Sequence, residues 1–409
     1  MTSPAPAGRS TTAWRNATFT VFGVAGITIA TLLSRLPALR DHLDIDPGQV
    51  GLMIAFFSGG SVLGLVFSGT LLHTIGARRI IQLGMPTIAV ALGAIGIAAA
   101  VFESYPTTAI VSMVFGAAVA VTDVATNVEG AAIERETKRT IMTTLHAGFS
   151  LGTVLGATLG ALAAQLGIGL PLHFGIIAAM SMVLAFTLPR WIPTVLADAG
   201  PKPTMAQRRA VWAQPRTILL GLVVFAFAYI EGAANDWLTL ALHDERGFDE
   251  AGAALMLGVF TAAMTAGRFL AGPVIDRLGR LPVLIGSALI AAAGLGLLIF
   301  VPETWAVIVG TIVWALGSCL GFPLGLSAAG DDPATAASRV AAVSLIGYVA
   351  FFAGPPLVGF IADQTGILPA LTIIFAFIAL ALAASPAVRP PRGTVPTPTD
   401  AFDDPELRH

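Results

Sequence analysis

Between Val121 and Gly130 the chain reads Val-Thr-Asp-Val-Ala-Thr-Asn-Val-Glu-Gly, inside an apolar run that extends from Thr107 to Arg135. Asp123 and Glu129 therefore fall where the surrounding sequence is built for lipid. Charges in that setting are costly and rare. They face a bundle interior or a water-filled path, and function is their default reading. The chemistry open to such an acid is proton carriage. Low dielectric disfavours a charged carboxylate, so an acid alternately dry and wetted can load a proton on one side and release it on the other. On a helix, Asp123, Asn127, Gly130 and Glu134 recur at i, i+4, i+7 and i+11 and share a face, with Glu129 on another flank. A second apolar run carries Glu231, Asn235 and Asp236, followed by Trp237.

Asp123 and Glu231 lie deepest in their runs, and a purely structural account of either needs a buried cation. Arg35 and Arg268 are the only Lys or Arg residues inside apolar runs. They either neutralise the acids or recognise an anionic solute through the planar guanidinium fork. The acids outnumber them, so pairing is the expectation. Glu134, near the end of its run, is expected to partner Arg135, Arg277 or Arg280. Asp236, near the end of its own run, can instead be solvated. His146 has Ser150 one turn later and could relay protons or simply pack. Tyr229, Trp237 and Trp314, with Phe322 and Pro323, could face a sugar-like ring or fill helix interfaces. Gly148, Gly152, Gly156 and Gly160 form a ridge for close helix packing, and Gly354-Pro355-Pro356 predicts a kink.

No G-x-x-x-x-G-K-[ST] phosphate loop occurs, so no ATP-driven engine is expected. Cys319 is the lone cysteine, which rules out an intrachain disulfide. No metal-ligand cluster or nucleophile constellation stands out. The expectation is a protein that is not an enzyme, with no cofactor and no metal.

The elements that must hold these residues follow from composition. Of 409 residues 56% are hydrophobic and 11% charged, with a mean hydropathy of +0.83; soluble domains carry about 25% charged residues. The net charge of −2 offers no field for nucleic acid. Crossing a bilayer takes about 20 mostly apolar residues. Such runs are marked near 16–38, 49–72, 80–102, 107–133, 141–166, 169–188, 217–242, 251–274, 281–302, 304–328, 340–362 and 367–386. The sequence thus predicts an all-α polytopic membrane protein with twelve transmembrane helices. Lys and Arg set its orientation. With the N-terminus inside, eighteen basic residues fall in cytoplasmic segments and only Arg40 and Arg246 in outer loops. Both termini are therefore expected in the cytoplasm, at a bacterial-type inner membrane. The hydrophilic stretch 189–216 reads as a linker between six-helix bundles at 16–188 and 217–386, with disordered tails at 1–15 and 387–409.

The halves are related. Shifting the sequence by 203 positions aligns Asp41 with Asp244, Asp46 with Asp249, Gly64 with Gly267, Gly69 with Gly272 and Gly76 with Gly279. Internal symmetry of this kind is expected of transporters built from repeats. Asp46-Pro47-Gly48-Gln49 fits a capping box, and Gly64 and Gly69 would let a neighbouring helix approach.

The second copy ends Gly272-Pro-Val-Ile-Asp276-Arg277-Leu-Gly279-Arg280, which resembles the G-x-x-x-D-R-x-G-R signature of the major facilitator superfamily. The resemblance implies two pseudo-symmetric six-helix bundles rocking about a midplane site, with helices 1, 4, 7 and 10 lining the cavity. It also implies that Asp276 helps hold a cytoplasmic gate at a neighbouring helix end, where a carboxylate is favoured. The first copy departs from the signature: Gly69, Gly76 and Arg78 are present, but His73 stands where the aspartate should be. Asp123-Val-Ala-Thr-Asn127 resembles the acidic-x-x-x-Asn element on helix 4 of the fucose-permease-like, proton-coupled sugar branch. The resulting expectation is a monomeric secondary transporter in membrane lipid, moving a small, sugar-like polar solute with protons. Proton-coupled export of a drug or metabolite is the alternative, and a sensor or scaffold that moves nothing is the rival from another class.

Overall fold

The computed structural model describes residues 10–137, 141–193, 205–332 and 335–389. Among these, twelve helices are long and apolar enough to cross a membrane. They are α1 Thr11–Ser34, α2 Pro47–Ile75, α3 Ala77–Ala100, α4 Tyr105–Thr137, α5 Met142–Gln165 and α6 Leu170–Thr187, then α7 Pro215–Glu245, α8 Glu250–Leu278 and α9 Arg280–Phe300. α10 runs in two pieces, Thr304–Ser318 and Gly321–Ala329; α11 is Ala336–Thr365, and the last span, α12, covers Ile367–Val388. An even number of crossings puts both ends of the chain on one face, here the termini face; the opposite one is the far face. Val66, Phe67, Phe186 and Phe300 are exposed on the outside, an apolar surface that a soluble protein would not carry.

Local sequence explains the helix ends. Asp46 caps α2: its side chain accepts from the Gln49 amide at 2.7 Å, and the Gln49 side chain accepts from the Asp46 amide at 3.1 Å. Asp249, its repeat counterpart, caps α8 by accepting from the Gly252 amide at 2.8 Å. At the other ends Gly76 and Gly279 take φ of 77° and 79°, a left-handed conformation that glycine adopts without steric cost. There α2 and α8 stop, and α3 and α9 start at once. Gly64 lets α2 meet α4, where an added Cβ would lie 2.6 Å from the Ala117 carbonyl; Gly267 lets α8 meet α10, 2.7 Å from Cys319 Sγ. The repeat is therefore structural as well as sequential.

Each half is a six-helix bundle. α1 packs on α5 and α2 on α4 in the first; α7 packs on α11 and α9 on α10 in the second; α2–α11 and α5–α8 contacts join the halves. The glycine ridge of α5 lies on α1: a Cβ at Gly152 would meet the Gly23 carbonyl at 2.1 Å, and one at Gly156 the Ile27 carbonyl at 2.5 Å.

Three expected boundaries change. Residues 11–15 of the expected tail 1–15 are helical, because Trp14 is anchored by a hydrogen bond to Glu129. The expected linker 189–216 holds a helix at Met205–Trp212 and the start of α7 at Pro215. Ser385–Val388 forms a turn where the tail 387–409 was expected to begin, held by Arg216 donating to the Ala387 and Arg389 carbonyls at 3.2 and 3.0 Å. Residues 1–9, 194–204 and 390–409 lie outside the described residues, as do Lys138 and Arg139, and so does the side chain of Glu134.

Candidate functional site

A cavity of about 110 Å³ opens between the halves. α1 supplies Ile29, Ala30 and Leu33 to its wall, and α5 supplies Phe149, Ser150 and Thr153. α7 brings Glu231 and Asn235, and α8 brings Leu257, Thr261, Met264, Thr265 and Arg268. Arg268 Nη2 donates to both carboxylate oxygens of Glu231 at 3.2 Å, so an ion pair stands in a chamber also lined by hydroxyl and amide side chains. The threonine hydroxyls around it are committed as donors. Thr153 donates to the Ser150 carbonyl at 2.8 Å, Thr261 to the Leu257 carbonyl at 3.1 Å and Thr265 to the Thr261 carbonyl at 2.8 Å. A threonine whose proton is used this way offers the cavity only lone pairs. The threonines therefore offer the cavity acceptors, while Arg268 and the side-chain amide of Asn235 are its N–H donors.

A second polar line lies beside the cavity, one turn along α5 from Ser150. His146 Nε2 donates to Asn127 Oδ1 at 3.2 Å, and Asn127 Nδ2 donates to Asp123 Oδ2 at 3.1 Å. Asn127 Oδ1 can only accept, so this arrangement puts the imidazole proton on Nε2. His146 lies within electrostatic reach of Arg268 and Asp123 within that of Tyr348 on α11, so the line bridges toward the second half.

Other expected residues go elsewhere. Glu129 is 5% exposed and accepts from Trp14 Nε1 at 2.9 Å, inside the first bundle near the termini face. Tyr229, Asp236 and Trp237 line a separate void of about 10 Å³ between α7 and α11. Tyr229 stacks on Phe377 at 3.9 Å and Trp237 is fully buried. Trp314 is also buried, edge-on to Phe260 at 5.5 Å. Arg35 closes α1 at the far face. α5 and α8, not α4 and α10, share this cavity with α1 and α7. Sequence reasoning passed over Thr261 and Thr265, although with Arg268 they repeat at i, i+4 and i+7, one helix face.

The far face is closed by contacts between the halves. Arg35 Nε is bonded to Glu250, and its Nη1 donates to the Ile168 carbonyl at 3.1 Å. The Gly48 amide donates to Asp363 at 2.8 Å, and Thr239 to the Leu33 carbonyl at 3.3 Å. Arg40 pairs with both Asp41 and Asp244, so one guanidinium joins two repeat-related aspartates. Burial opposes the Arg40 charge, but hydrogen bonds and charge from Asp244 and Asp41 outweigh it and hold the group above its already high ordinary pKa. On the termini face, by contrast, Gly69 and Gly272 face open space, and His73, Asp276 and Arg277 are exposed. Arg280 donates instead to Asp331 at 2.6 Å, within its own half. The structure is closed at the far face and open toward the termini face. Replacing both Arg35 and Arg40 with alanine should loosen the closed face. In a Cys319→Ser background, maleimide labelling of Thr239→Cys from that face should then rise severalfold in proteoliposomes; an unchanged rate would mean that the ion pairs do not hold it.

This geometry, two related bundles around a polar chamber, meets a match in sequence. The Major Facilitator Superfamily model covers residues 18–255 and 220–406. The chain belongs to this superfamily. The transporter is 29% identical over 364 residues to an uncharacterised MFS-type transporter of Yersinia pestis, covering 88% of this chain and 91% of the relative. Its fold is similar to that of a variant of the nucleoside transporter NupG, with a TM-score of 0.76 and 15% identity over 92% of this chain and 98% of that one. The E. coli fucose:proton symporter FucP gives a TM-score of 0.64 and 17% identity over 93% and 100% of the two chains. Identities this low speak for the fold alone. In the transporter, the superfamily signature at Gly272–Arg280 sits at the open face, with Asp276 free of the closed-face network.

Proposed function

We propose that this transporter carries a small polyhydroxylated, sugar-like solute across a bacterial inner membrane in symport with protons. The observation that supports this reading is the Glu231–Arg268 pair in a chamber whose hydroxyls offer lone pairs. A solute rich in O–H groups would donate to Thr153, Thr261, Thr265 and Glu231 and accept from Arg268. Glu231 exchanges Arg268 for a proton or for solute, and Asp123, oriented by Asn127, is the second proton site. The termini face is the cytoplasmic one by its Lys and Arg, so the cavity described here is open to the inside.

The names of two structural neighbours, a nucleoside transporter and a fucose:proton symporter, place nucleosides and sugars in the test panel. Purified transporter in proteoliposomes with a pH-sensitive dye is offered sugars, polyols and nucleosides. Symport predicts that one of these alkalinises the external medium as it enters. Acidification of the medium as solute enters, with protons leaving in exchange, would mark antiport and make the protein an exporter instead. Absence of flux across the panel together with capture of a partner protein would point to a sensor and overturn the proposal.

A further inference from the structure

α10 is broken in mid-membrane. It stops at Ser318, turns through Cys319 and Leu320, and resumes at Gly321. The cause is in the sequence: Pro323 stands four residues after Cys319 and has no amide proton, so the Cys319 carbonyl loses its helical donor. A buried carbonyl must find another, and Arg268 supplies it, its Nε donating to the Cys319 oxygen at 3.2 Å. The same guanidinium holds both oxygens of Glu231 through Nη2. One side chain of α8 thus ties the cavity carboxylate of α7 to the break in α10.

The segment beyond the break is placed to move as a short lever. Gly321 and Gly325 press it against α7, where added Cβ atoms would meet the Phe227 ring at 1.9 Å and Val224 at 2.4 Å. Just past its other end, Asp331 accepts from Arg216 at 2.8 Å and from Arg280 at 2.6 Å. It is held at the hinge by Arg268 and at the termini face by Asp331.

We propose that Arg268 is a positioning residue that couples the state of Glu231 to the bend at Cys319–Leu320. When solute or a proton takes Glu231, the guanidinium is released from its carboxylate and lets go of the Cys319 carbonyl. Gly321–Ala329 then swings about the break and changes the opening at the termini face. The use of the hinge in transport rests on reading the cavity as the solute path, whereas the clasp itself can be tested without any solute.

Cys319 is the only cysteine of the chain and is 1% exposed, so its labelling by N-ethylmaleimide in the purified full chain reports the hinge directly. Arg268→Lys keeps a charge beside Glu231, but a single ammonium cannot reproduce the fork that reaches both partners. It should speed labelling about tenfold, equivalent to about 1.4 kcal/mol. Pro323→Ala restores the missing amide donor, so in that background Arg268→Lys should leave the rate unchanged. Glu231→Gln, which leaves the arginine in place, should give a smaller rise, also abolished by Pro323→Ala, and serves if the lysine variant does not fold. Equal acceleration with and without Pro323, or no acceleration in the Pro323 background, overturns the clasp. If proteoliposomes move no solute while the labelling cycle holds, the transport reading fails and the clasp stands.

Discussion

Proteoliposomes carrying Glu231→Gln should equilibrate a solute that the parent protein concentrates. One proton moving through about 100 mV supplies about 2.3 kcal/mol, enough for about 50-fold accumulation. Glutamine cannot carry that proton, so the ratio should fall to unity. Its amide oxygen still accepts from Arg268, which loses its ionic partner but not every hydrogen bond, so solute binding and counterflow should outlast accumulation. Asp123→Asn is expected to give the same loss, with His146 and Asn127 left in place around a neutral group. The measurement is the inside-to-outside solute ratio under an imposed proton gradient, with binding followed separately by thermal shift. Full accumulation by both variants would remove the proton role from these acids.

The second large effect concerns folding. Gly152→Leu should unfold the α1–α5 contact, because the first added atom would sit 2.1 Å from the Gly23 carbonyl, and Gly26 across the interface is as tight, at 2.2 Å from the Phe149 carbonyl. These obstacles are backbone atoms that no rotamer change can clear, so α1 must move bodily. The cost belongs at or above the upper end of overpacking, about 3 kcal/mol, and should appear as a lower Tm and loss of a single elution peak. Gly69→Ala is the matched control. Nothing lies within 4 Å of the position, and alanine in place of a helical glycine gains up to about 1 kcal/mol, so its Tm should hold or rise. A parallel fall in both variants would mean that glycine content, and not the close approach at Gly152, governs stability.

Gly64 and Gly69 show where sequence reading stops. Both look like packing glycines on α2. Gly64 is against α4, but Gly69 faces open space because the halves part toward the termini face. No local pattern reveals which way a two-state bundle is tilted. The acids teach the same lesson. Arg35 and Arg268 were legible as the two intramembrane cations and as partners of acids, and Arg268 does meet Glu231; not legible were the pairing of Arg35 with Glu250 across the closed face and the second bond of Arg268, to a carbonyl that Pro323 leaves free. Glu129 had no visible role until Trp14, 115 residues away in sequence, was seen to hold it.

The sequence by itself determined what depends on neighbours along the chain: twelve apolar spans, two related halves, the Asp46 cap, the glycine turns at Gly76 and Gly279, and one face joining Asp123 to Asn127. Hydropathy, helix period and backbone sterics act over a few residues, so they can be read in order. Only the tertiary structure decided which acid meets which cation, that α5 and α8 wall the cavity, that Tyr229, Trp237 and Trp314 stand apart from it, and that the far face is shut. Those outcomes depend on how each helix is rotated and how the two bundles lean, and both are set by contacts between residues far apart in the chain.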